Sequence, residues 1–362
     1  RGRYYLQYGA PGSEFNAYAN GTYVSDKPLG PFTYAPWNPV AYRPGGFAEG
    51  TGHGSTFADH HGNWYNSGTS WIGHNWGMER RIVIHPARFE RDGQFHASTR
   101  FGDWPRLVPT APVAKLDDLF AGWMLLSYRK PLTASSTLGE FAANRASDEA
   151  PRTFWVAASK RAGETLTMDL GAPATVQAVQ VNFADYNSGR YADAPDIYTE
   201  FELQQSLDGR RWQPLARTEP PRRDRPNAYF ELPAPVRTRF VRYVHGHVGA
   251  AHLAISDLRV FGNAGGRAPT TPGAVSAVRD ADARNALVRW GSVPGATGYN
   301  IRWGHRPDRL TQTYQLWSDE LGSGATLGKQ LRALNVGVPY WVAVEAFNES
   351  GVSRLSPVVR VR

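Results

Sequence analysis

Residues 49–65 read Glu-Gly-Thr-Gly-His-Gly-Ser-Thr-Phe-Ala-Asp-His-His-Gly-Asn-Trp-Tyr, and the interpretation of the first third of the chain starts from them. Glycine at alternate positions lets the backbone turn tightly and approach a neighbouring segment closely. His53 stands between two of these glycines, so we expect it to be presented at a surface and to matter for function. Phe57, the Gly62–Asn63 pair and Trp64–Tyr65 predict a strand, a turn and a returning strand.

The composition indicates an all-β protein with several domains. A chain of 362 residues predicts two or three domains, each large enough for its own core. Its 37 glycines, 26 prolines and 12 tryptophans favour turns and aromatic platforms over long helices. No apolar run approaches the roughly 20 residues that cross a bilayer, so no membrane span is predicted. Cysteine is absent, so disulfides contribute nothing to stability.

The net charge of +8 comes mainly from scattered arginines. Their densest cluster, Arg217–Arg225, is interrupted by Glu219, Asp224 and prolines. Interleaved base-stacking aromatics and a known nucleic-acid-binding module are both lacking. We therefore predict no nucleic-acid partner and interpret the cluster as a solvated basic surface.

Residues 1–115 resemble the last blades of the five-bladed β-propeller of glycoside hydrolase family 43. The matching elements are Gly52-His53-Gly54-Ser55, the hairpin from Asp59 to Tyr65, the Glu79–Arg80 pair and the turn Lys27–Phe32. The resemblance implies about two blades here. The chain starts with Arg1, in what resembles the middle of a blade, and we expect the earlier blades to precede it in a longer protein.

The resemblance also implies an inverting glycoside hydrolase. Inversion needs an acid and a base carboxyl about 6.5–9.5 Å apart, and in the family both precede the position of Arg1. We therefore expect this chain to lack its catalytic carboxylates. Glu14, on a Gly-rich loop after a strand, is the one weak candidate for an acid and a candidate for lining the sugar pocket, with an ordinary loop residue as the alternative.

Other candidate sugar-binding residues lie near the end of this part. Arg80 matches the family's last-blade arginine and could fork onto sugar hydroxyls or a carboxylate, although an outward salt-bridged arginine is an equal alternative. Trp71 and Trp76 are candidate stacking platforms, or core residues. By resemblance, His53 holds a calcium ion, directly or through water; since calcium prefers oxygen ligands, a histidine that only orients its loop is the alternative.

A connector at 116–130 carries the apolar stretch Trp123–Tyr128, which we expect to pack on the flank of the propeller. Residues 131–263 then resemble a discoidin, or coagulation-factor type C, jelly roll. The resemblance is carried by the Ser206–Trp212 hairpin with its Asp-Gly turn and by the closing strand Asp257–Gly262.

The discoidin resemblance implies two kinds of site. A structural calcium ion would be held by the loop containing Asp148 and Thr153 and closed by Asp257, although relatives often have Asp-Gly where this chain has Asp148-Glu149. Sugar would bind to exposed loop tyrosines, with lipid or protein ligands left open. The candidate tyrosines are Tyr186, Tyr191 and Tyr198.

A Gly/Pro/Thr-rich linker at 264–272 marks a domain boundary. Residues 273–362 resemble a fibronectin type III sandwich, which we expect to act as a spacer. The resemblance implies that Trp290 and Tyr299 are core residues and that Tyr340 lies near a tyrosine corner.

The sequence thus predicts an all-β chain of partial β-propeller blades, a discoidin-like jelly roll and a fibronectin type III sandwich. The predicted function is that of the C-terminal portion of a secreted or periplasmic glycoside hydrolase acting on plant-type polysaccharides that contain arabinose or xylose. The alternative is a non-catalytic carbohydrate-binding or adhesion protein with a degenerate propeller. An incomplete propeller leaves open strand edges, so we expect this chain to aggregate or to be unstable without the earlier blades.

Overall fold

The computed structural model describes residues 2–12, 15–71, 80–187 and 195–362, with the backbone alone for Trp71. Antiparallel sheets dominate these residues, and the helical ones among them lie in three short 3-10 turns, which confirms the all-β prediction. No described helix is long and apolar enough to cross a membrane. The 3-10 turns are Leu116–Leu119, Ala143–Ala146 and Ser318–Glu320.

The chain divides into two compact units. The first unit combines the described residues up to 121 with residues 268–362, so two segments that are distant in sequence build it. The second unit contains residues 122–267.

The N-terminal segment of the first unit forms two antiparallel sheets, in the orders β1-β2-β3 and β4-β5-β6-β7. The hairpin predicted around Gly62 is confirmed, because the Asp59 carboxylate accepts the N–H groups of His61 and Asn63 at 2.9 and 2.8 Å and closes the β4–β5 turn. Four antiparallel strands are the number in a propeller blade, and the propeller itself stays a prediction. The strands are β1 (Tyr4–Ala10), β2 (Ala19–Ser25), β3 (Thr33–Tyr34), β4 (Thr56–Ala58), β5 (Trp64–Trp71), β6 (Arg80–Phe89) and β7 (Phe95–Ala97).

The second unit is built on one long network of strands, in the order β10-β15-β11-β14-β12-β13, with β8 on β15 and β9 on β11. Strand β11 changes register in its middle, and both of its halves bury side chains in the same core, Leu166 from one and Val181 from the other. The strands are β8 (Met124–Leu125), β9 (Leu132–Ala134), β10 (Trp155–Val156), β11 (Thr165–Phe183), β12 (Thr199–Ser206), β13 (Gln213–Arg217), β14 (Asn227–Val248) and β15 (Ala254–Asn263).

The connector differs from its predicted role. Met124 and Leu125 pair with Gly262 and Phe261 of β15, and the Leu126 N–H donates to the carbonyl of Val260 at 2.8 Å. The expectation that this stretch packs on the propeller flank is therefore wrong, because its backbone pairs with the edge of β15 in the second unit.

Residues 273–362 form a two-sheet sandwich, with sheet orders β16-β17-β20 and β19-β18-β21-β22 and with β23 on β21. Trp290 and Tyr299 are buried, as predicted. The Tyr340 hydroxyl accepts the N–H of Asn335 at 3.1 Å, the kind of bond that a tyrosine corner makes; the fibronectin type III assignment stays a prediction. The strands are β16 (Ser276–Arg279), β17 (Ala286–Gly291), β18 (Gly298–Gly304), β19 (Gln312–Trp317), β20 (Thr326–Leu331), β21 (Trp341–Asn348), β22 (Gly351–Val352) and β23 (Val359–Arg360).

Candidate functional site

Several loops of the second unit meet at one end of its strands, which we name the loop end. Thr199, the first residue of β12, pairs with Val248, the last residue of β14. Phe183, the last residue of β11, pairs with Ile255 near the start of β15. The rings of Phe183 and Phe201, which belong to the two pairs or lie beside them, are 5.7 Å apart, so the loops that follow or precede these strand ends open on the same side of the unit.

Tyr198 is the centre of one polar and aromatic group at the loop end. The ring of His247 stacks on it, with centroids 3.8 Å apart and planes at 15°, and His247 Nε2 donates to the carbonyl of Asp196 at 2.9 Å. The Arg222 guanidinium lies 4.7 Å from the Tyr198 centroid and 3.9 Å from the Glu200 carboxylate. This group offers an aromatic surface together with donors and an acceptor, which suits a ligand with an apolar face and hydroxyl groups.

A second aromatic group surrounds Tyr186, at the start of the loop that leads to Tyr198. Phe141 lies 4.7 Å from Tyr186, centroid to centroid, and stacks on Phe154 at 5.3 Å. The ring of His252, in the loop between β14 and β15, lies 5.3 Å from the ring of Tyr186, centroid to centroid. The structure therefore places two of the three predicted tyrosines at the loop end, while Tyr191 lies outside the described residues.

A cleft of about 710 Å³ borders the loop between β13 and β14. Arg225 shapes its wall, since its guanidinium donates to the carbonyls of Thr199 at 3.2 Å and Glu219 at 2.6 Å. Tyr229 is half exposed in the cleft, and burial, with the nearby Glu231 carboxylate, raises its pKa to about 12. Tyr229 can therefore act as a neutral hydroxyl donor at physiological pH.

The predicted calcium loop lies against β15. The Asp148 carboxylate accepts the N–H of Ala150 at 3.0 Å and the hydroxyl of Thr153 at 2.7 Å. Glu149 adopts a left-handed φ of 59°, the conformation for which glycine is usual at this position of an Asp-Gly pair. Its buried carboxylate makes two bonds with the Arg259 guanidinium, at 2.7 and 2.9 Å.

Asp257 lies on the same strand as Arg259, two residues earlier. It is 1% exposed, and neither of its carboxylate oxygens has a hydrogen-bond partner among protein groups. Burial, and then the carboxylates of Glu149 and Asp148, raise the pKa of Asp257 well above its usual range. Asn182 lies opposite Asp257 on the neighbouring strand β11. The side chain of Asn182 is also buried without a hydrogen-bond partner. Carboxylate oxygen atoms are ligands that a hard cation takes, and those of Asp257 are free of protein hydrogen bonds, whereas Glu149 is already neutralised by the Arg259 guanidinium.

The described residues contain no group of three or more His, Asp or Glu side chains arranged to hold a metal ion. A cation at this loop would therefore take Asp148 and Asp257 together with other oxygen atoms. The hydroxyl of Thr153 is already used as a donor to Asp148.

In the N-terminal sheets, the glycines around His53 are needed for close packing. A Cβ on Gly54 would lie 1.8 Å from the carbonyl oxygen of Ser67, and one on Gly52 would lie 2.5 Å from the ring of Tyr18. Between them, His53 is exposed and has a left-handed φ of 53°. The expected surface presentation of His53 is confirmed, and its role as a calcium ligand stays a prediction.

The remaining predicted sugar-binding residues cannot be joined into a site. Arg80 begins β6 and is half buried. Glu14, Trp76 and the side chain of Trp71 lie outside the described residues. The structure brings no two of these predicted residues together among those that it describes, so the loop end is the better-defined candidate site.

Two functional features were missed from the sequence. The buried pair of Arg259 with Glu149 could have been suspected, because Arg259 follows Asp257 by two residues and strand alternation puts both on one face. The stack of His247 on Tyr198 gave no sequence signal, since 49 residues separate the two rings.

A family comparison identifies the larger part of the second unit. Residues 131–253 match the model of the F5/8 type C domain family. This segment is an F5/8 type C domain. The predicted discoidin-like jelly roll is thereby confirmed. A search of curated proteins found no match to the sequence.

Solved structures similar to the chain include a glycoside hydrolase, with 18% identity, a TM-score of 0.37 and coverage of 72% of this chain. The match spans 57% of the length of that hydrolase. Chitosan-binding module 1 from the chitosanase/glucanase of Paenibacillus sp. IK-5 has 25% identity and a TM-score of 0.33, covering 38% of this chain and 99% of the module. The family 32 carbohydrate-binding module of C. perfringens NanJ, solved with galactose, has 16% identity and a TM-score of 0.31, covering 38% and 98%.

Proposed function

We propose that this chain binds carbohydrate through the loop end of its F5/8 type C domain. The observation that carries the proposal is the group around Tyr198, where an aromatic ring, an imidazole and the guanidinium of Arg222 meet on one partly exposed surface. Aromatic faces suit the C–H face of a pyranose, and the polar neighbours can bond its hydroxyls. The half-exposed Tyr186 and Tyr229 extend the surface on which a longer oligosaccharide could lie.

The finer proposal is that the chain is the C-terminal portion of a secreted or periplasmic, family 43-like glycoside hydrolase. Its substrates would be polysaccharides containing arabinose or xylose, hydrolysed with inversion by carboxylates upstream of Arg1. Support comes from the resemblance of residues 1–115 and from the close-packed glycines on both sides of His53. A non-catalytic binding or adhesion protein is the alternative, and it keeps the loop-end site.

Binding is tested by calorimetry and by retention on immobilised arabinoxylan, xylan, galactan and chitosan. We expect Tyr198→Ala to weaken binding of the retained polysaccharide at least tenfold, about 1.4 kcal/mol, because the stacking surface is lost. Tyr4→Ala is the matched control, since Tyr4 is a partly exposed tyrosine of the N-terminal sheets. Equal affinity of Tyr198→Ala and the unchanged chain would refute binding at the loop end.

Hydrolysis is tested with aryl arabinofuranoside and aryl xyloside. The chain and the same chain extended by its upstream coding sequence are compared. Activity in the extended protein alone would support the hydrolase with upstream carboxylates. Activity in the short chain would move the catalytic assignment to Glu14, and inactivity of both with polysaccharide still bound would favour the binding protein.

A structural calcium ion at the loop beside β15 is part of the proposal. Asp148 and Asp257 would hold it, and its charge would neutralise the buried carboxylates there. We expect calcium to raise the unfolding temperature of the second unit and a chelator to lower it, since a ligand that binds only the folded state stabilises it. Asp257→Asn should remove the response, and Glu231→Gln should retain it. An unfolding temperature that is independent of calcium would refute the site.

A further inference from the structure

The sandwich at 273–362 contacts a loop of the N-terminal segment, residues 38–54, through its strand β19. The side-chain oxygen of Gln312 accepts the N–H of Tyr42 at 2.7 Å, and its amide donates to the carbonyl of Val40 at 3.1 Å. One Gln312 side chain thus bonds the backbone of the loop in both directions. These are buried bonds, which are costly to leave unmade.

The backbone of the loop touches β19 directly at Gly45. A Cβ at this position would lie 2.5 Å from the ring of Tyr314 and 2.6 Å from the carbonyl oxygen of Gln315. Next to it, the buried guanidinium of Arg43 donates to the Gln315 side chain and to the carbonyl of Ala48, both at 3.1 Å. Only glycine fits at position 45 while the two segments are in contact.

A buried charge pair joins the sandwich to Arg100, which lies further along the N-terminal segment than loop 38–54. The Arg100 guanidinium makes two bonds with the Glu345 carboxylate of β21, at 2.7 and 3.1 Å, and Asn300 donates to the same carboxylate at 2.9 Å. The side chain of Arg100 is 14% exposed and that of Glu345 is 3% exposed. Loss of Glu345 would leave the Arg100 guanidinium buried without its hydrogen-bond partner, which is strongly destabilising, whereas the Glu345 carboxylate also lies 3.9 Å from the Arg302 guanidinium.

Aromatic residues complete the contact. Phe347 of β21 packs edge-on against Phe101 and Trp104, with centroids 5.7 and 5.6 Å apart. Tyr42 packs edge-on against Trp303 of β18 at 5.8 Å and belongs to the sandwich core. The two segments therefore share a hydrophobic core, as parts of one folded domain do.

We infer that the C-terminal sandwich is a built-in packing partner of loop 38–54, and that the first unit folds only when both segments are present. The loop ends with Gly52-His53-Gly54. Within the loop, the Gly50 N–H donates to the carbonyl of Arg43 at 2.9 Å. The sandwich consequently supports the backbone that presents His53. This is a different role from the spacer expected from its sequence, and it does not depend on carbohydrate binding.

The inference is tested in the full chain with a protease site inserted between Gly265 and Gly266, which are exposed. After cleavage, we expect the fragment that begins at 266 to co-elute with the N-terminal fragment in size-exclusion chromatography. If the sandwich were only a spacer, the two fragments would separate. Separation of the fragments under native conditions would therefore overturn the inference.

Variants show whether the proposed surface holds the fragments together. We expect Glu345→Ala and Gly45→Ala each to weaken fragment association at least tenfold. Gly273→Ala is the matched glycine control, because a Cβ at Gly273 would meet nothing within 4 Å. Arg100→Ala with Glu345→Ala should be less than additive in a double-mutant cycle. Unchanged association in Glu345→Ala, or full additivity, would overturn the inference.

Hydrogen exchange of the unmodified chain keeps the test decisive if a variant fails to fold. We expect the amide of Tyr42, which bonds Gln312, to exchange as slowly as amides of the central strand β18. Exchange of Tyr42 within the range of exposed loop amides would contradict permanent packing.

Discussion

The two units of this chain reach a closed core by different routes. The described residues of the second unit, within 122–267, are close together in sequence, and most of the buried residues of its core lie on the strands of that stretch. The first unit joins two segments that share a core through Tyr42, and its N-terminal part leaves large apolar side chains exposed even when both segments are present. The comparison teaches that local patterning suffices for the F5/8 type C domain, whereas the N-terminal sheets depend on a distant partner. The exposed apolar residues include Tyr4, Leu6, Phe15, Leu29, Phe57, Ile82 and Ile84.

The buried charge pairs of the two units show the same contrast. In the second unit, Arg259 and Glu149 tie a loop to a strand within one domain. In the first unit, Arg100 and Glu345 are 245 residues apart and join two segments. A buried pair of this kind specifies which surfaces meet, in addition to any net stability that it provides.

The largest expected effect is that of Glu345→Ala, which leaves the Arg100 guanidinium buried without its partner. We expect the first unit to lose about 3–5 kcal/mol. Urea unfolding followed separately for the two units should show a shift only in the unfolding transition of the first unit. Equal shifts of both transitions would break the distinction between the units.

Acidification should affect the first unit more strongly. Burial, then the charges of Arg106 and Arg43, hold the pKa of His85 well below its usual value, and burial lowers the pKa of His305 to about 4. In the second unit, burial lowers the pKa of His245 to about 4. Below about pH 6.5 the unfolded chain binds protons that these folded histidines refuse, so stability falls as pH falls.

Two such histidines against one predict a steeper loss in the first unit, by about 1.4 kcal/mol per pH unit below pH 6.5 from the histidines alone. The raised pKa of Asp257 acts with the opposite sign in the second unit and widens the difference. The measurement is the urea midpoint of each unit between pH 7 and 5. His305→Phe should reduce the difference between the two slopes by about 1.4 kcal/mol per pH unit, while the exposed His60→Gln should not. Equal slopes in the unchanged chain would contradict the expected burial of His85 and His305.

A smaller effect is expected at the loop end. Arg222→Ala removes the guanidinium over Tyr198 and should weaken carbohydrate binding by about 0.5–1 kcal/mol, a few-fold in Kd. Calorimetry measures the affinity, and thermal unfolding should show both units unchanged. A stability loss equal to the affinity loss would identify Arg222 as structural only.

The smallest effect is expected for an exposed pair of the sandwich. Asp282 and Arg284 lie 2.8 Å apart at the surface. Asp282→Ala should leave both unfolding transitions unchanged within error, because exposed ion pairs contribute little. A clear loss of stability in Asp282→Ala would mean that burial does not explain why Glu345→Ala has the larger effect.

Local features were predictable from the sequence and long-range ones were not. The hairpin at Asp59 follows from its turn residues, whereas the burial of Trp290 and Tyr299 and the F5/8 type C domain were implied by resemblances to known families. The bond between Gln312 and Tyr42 spans 270 residues and has no local signal. The left-handed backbone conformation of Glu149 was not predictable, because glycine is the residue usually found in that conformation.

At the candidate site, the loop tyrosines were predictable because exposed aromatics in a binding module stand out in the sequence. Their partners His247 and Arg222 were not, because loops brought together by strand pairing are far apart in the chain. The grouping of charged side chains around Asp257 was not predictable either, because these side chains meet only when loop 143–153 packs on β15.

The two-segment construction of the first unit sets an order of events during synthesis. Tyr42 leaves the ribosome 270 residues before Gln312, a delay of about 15–55 s at usual elongation rates. Residues 122–267 are complete within that interval and can fold as a separate domain. Tyr42, Phe101 and Trp104 meanwhile lack the aromatic residues of the sandwich that pack against them. This is therefore the stage at which a nascent chain of this protein needs chaperone protection.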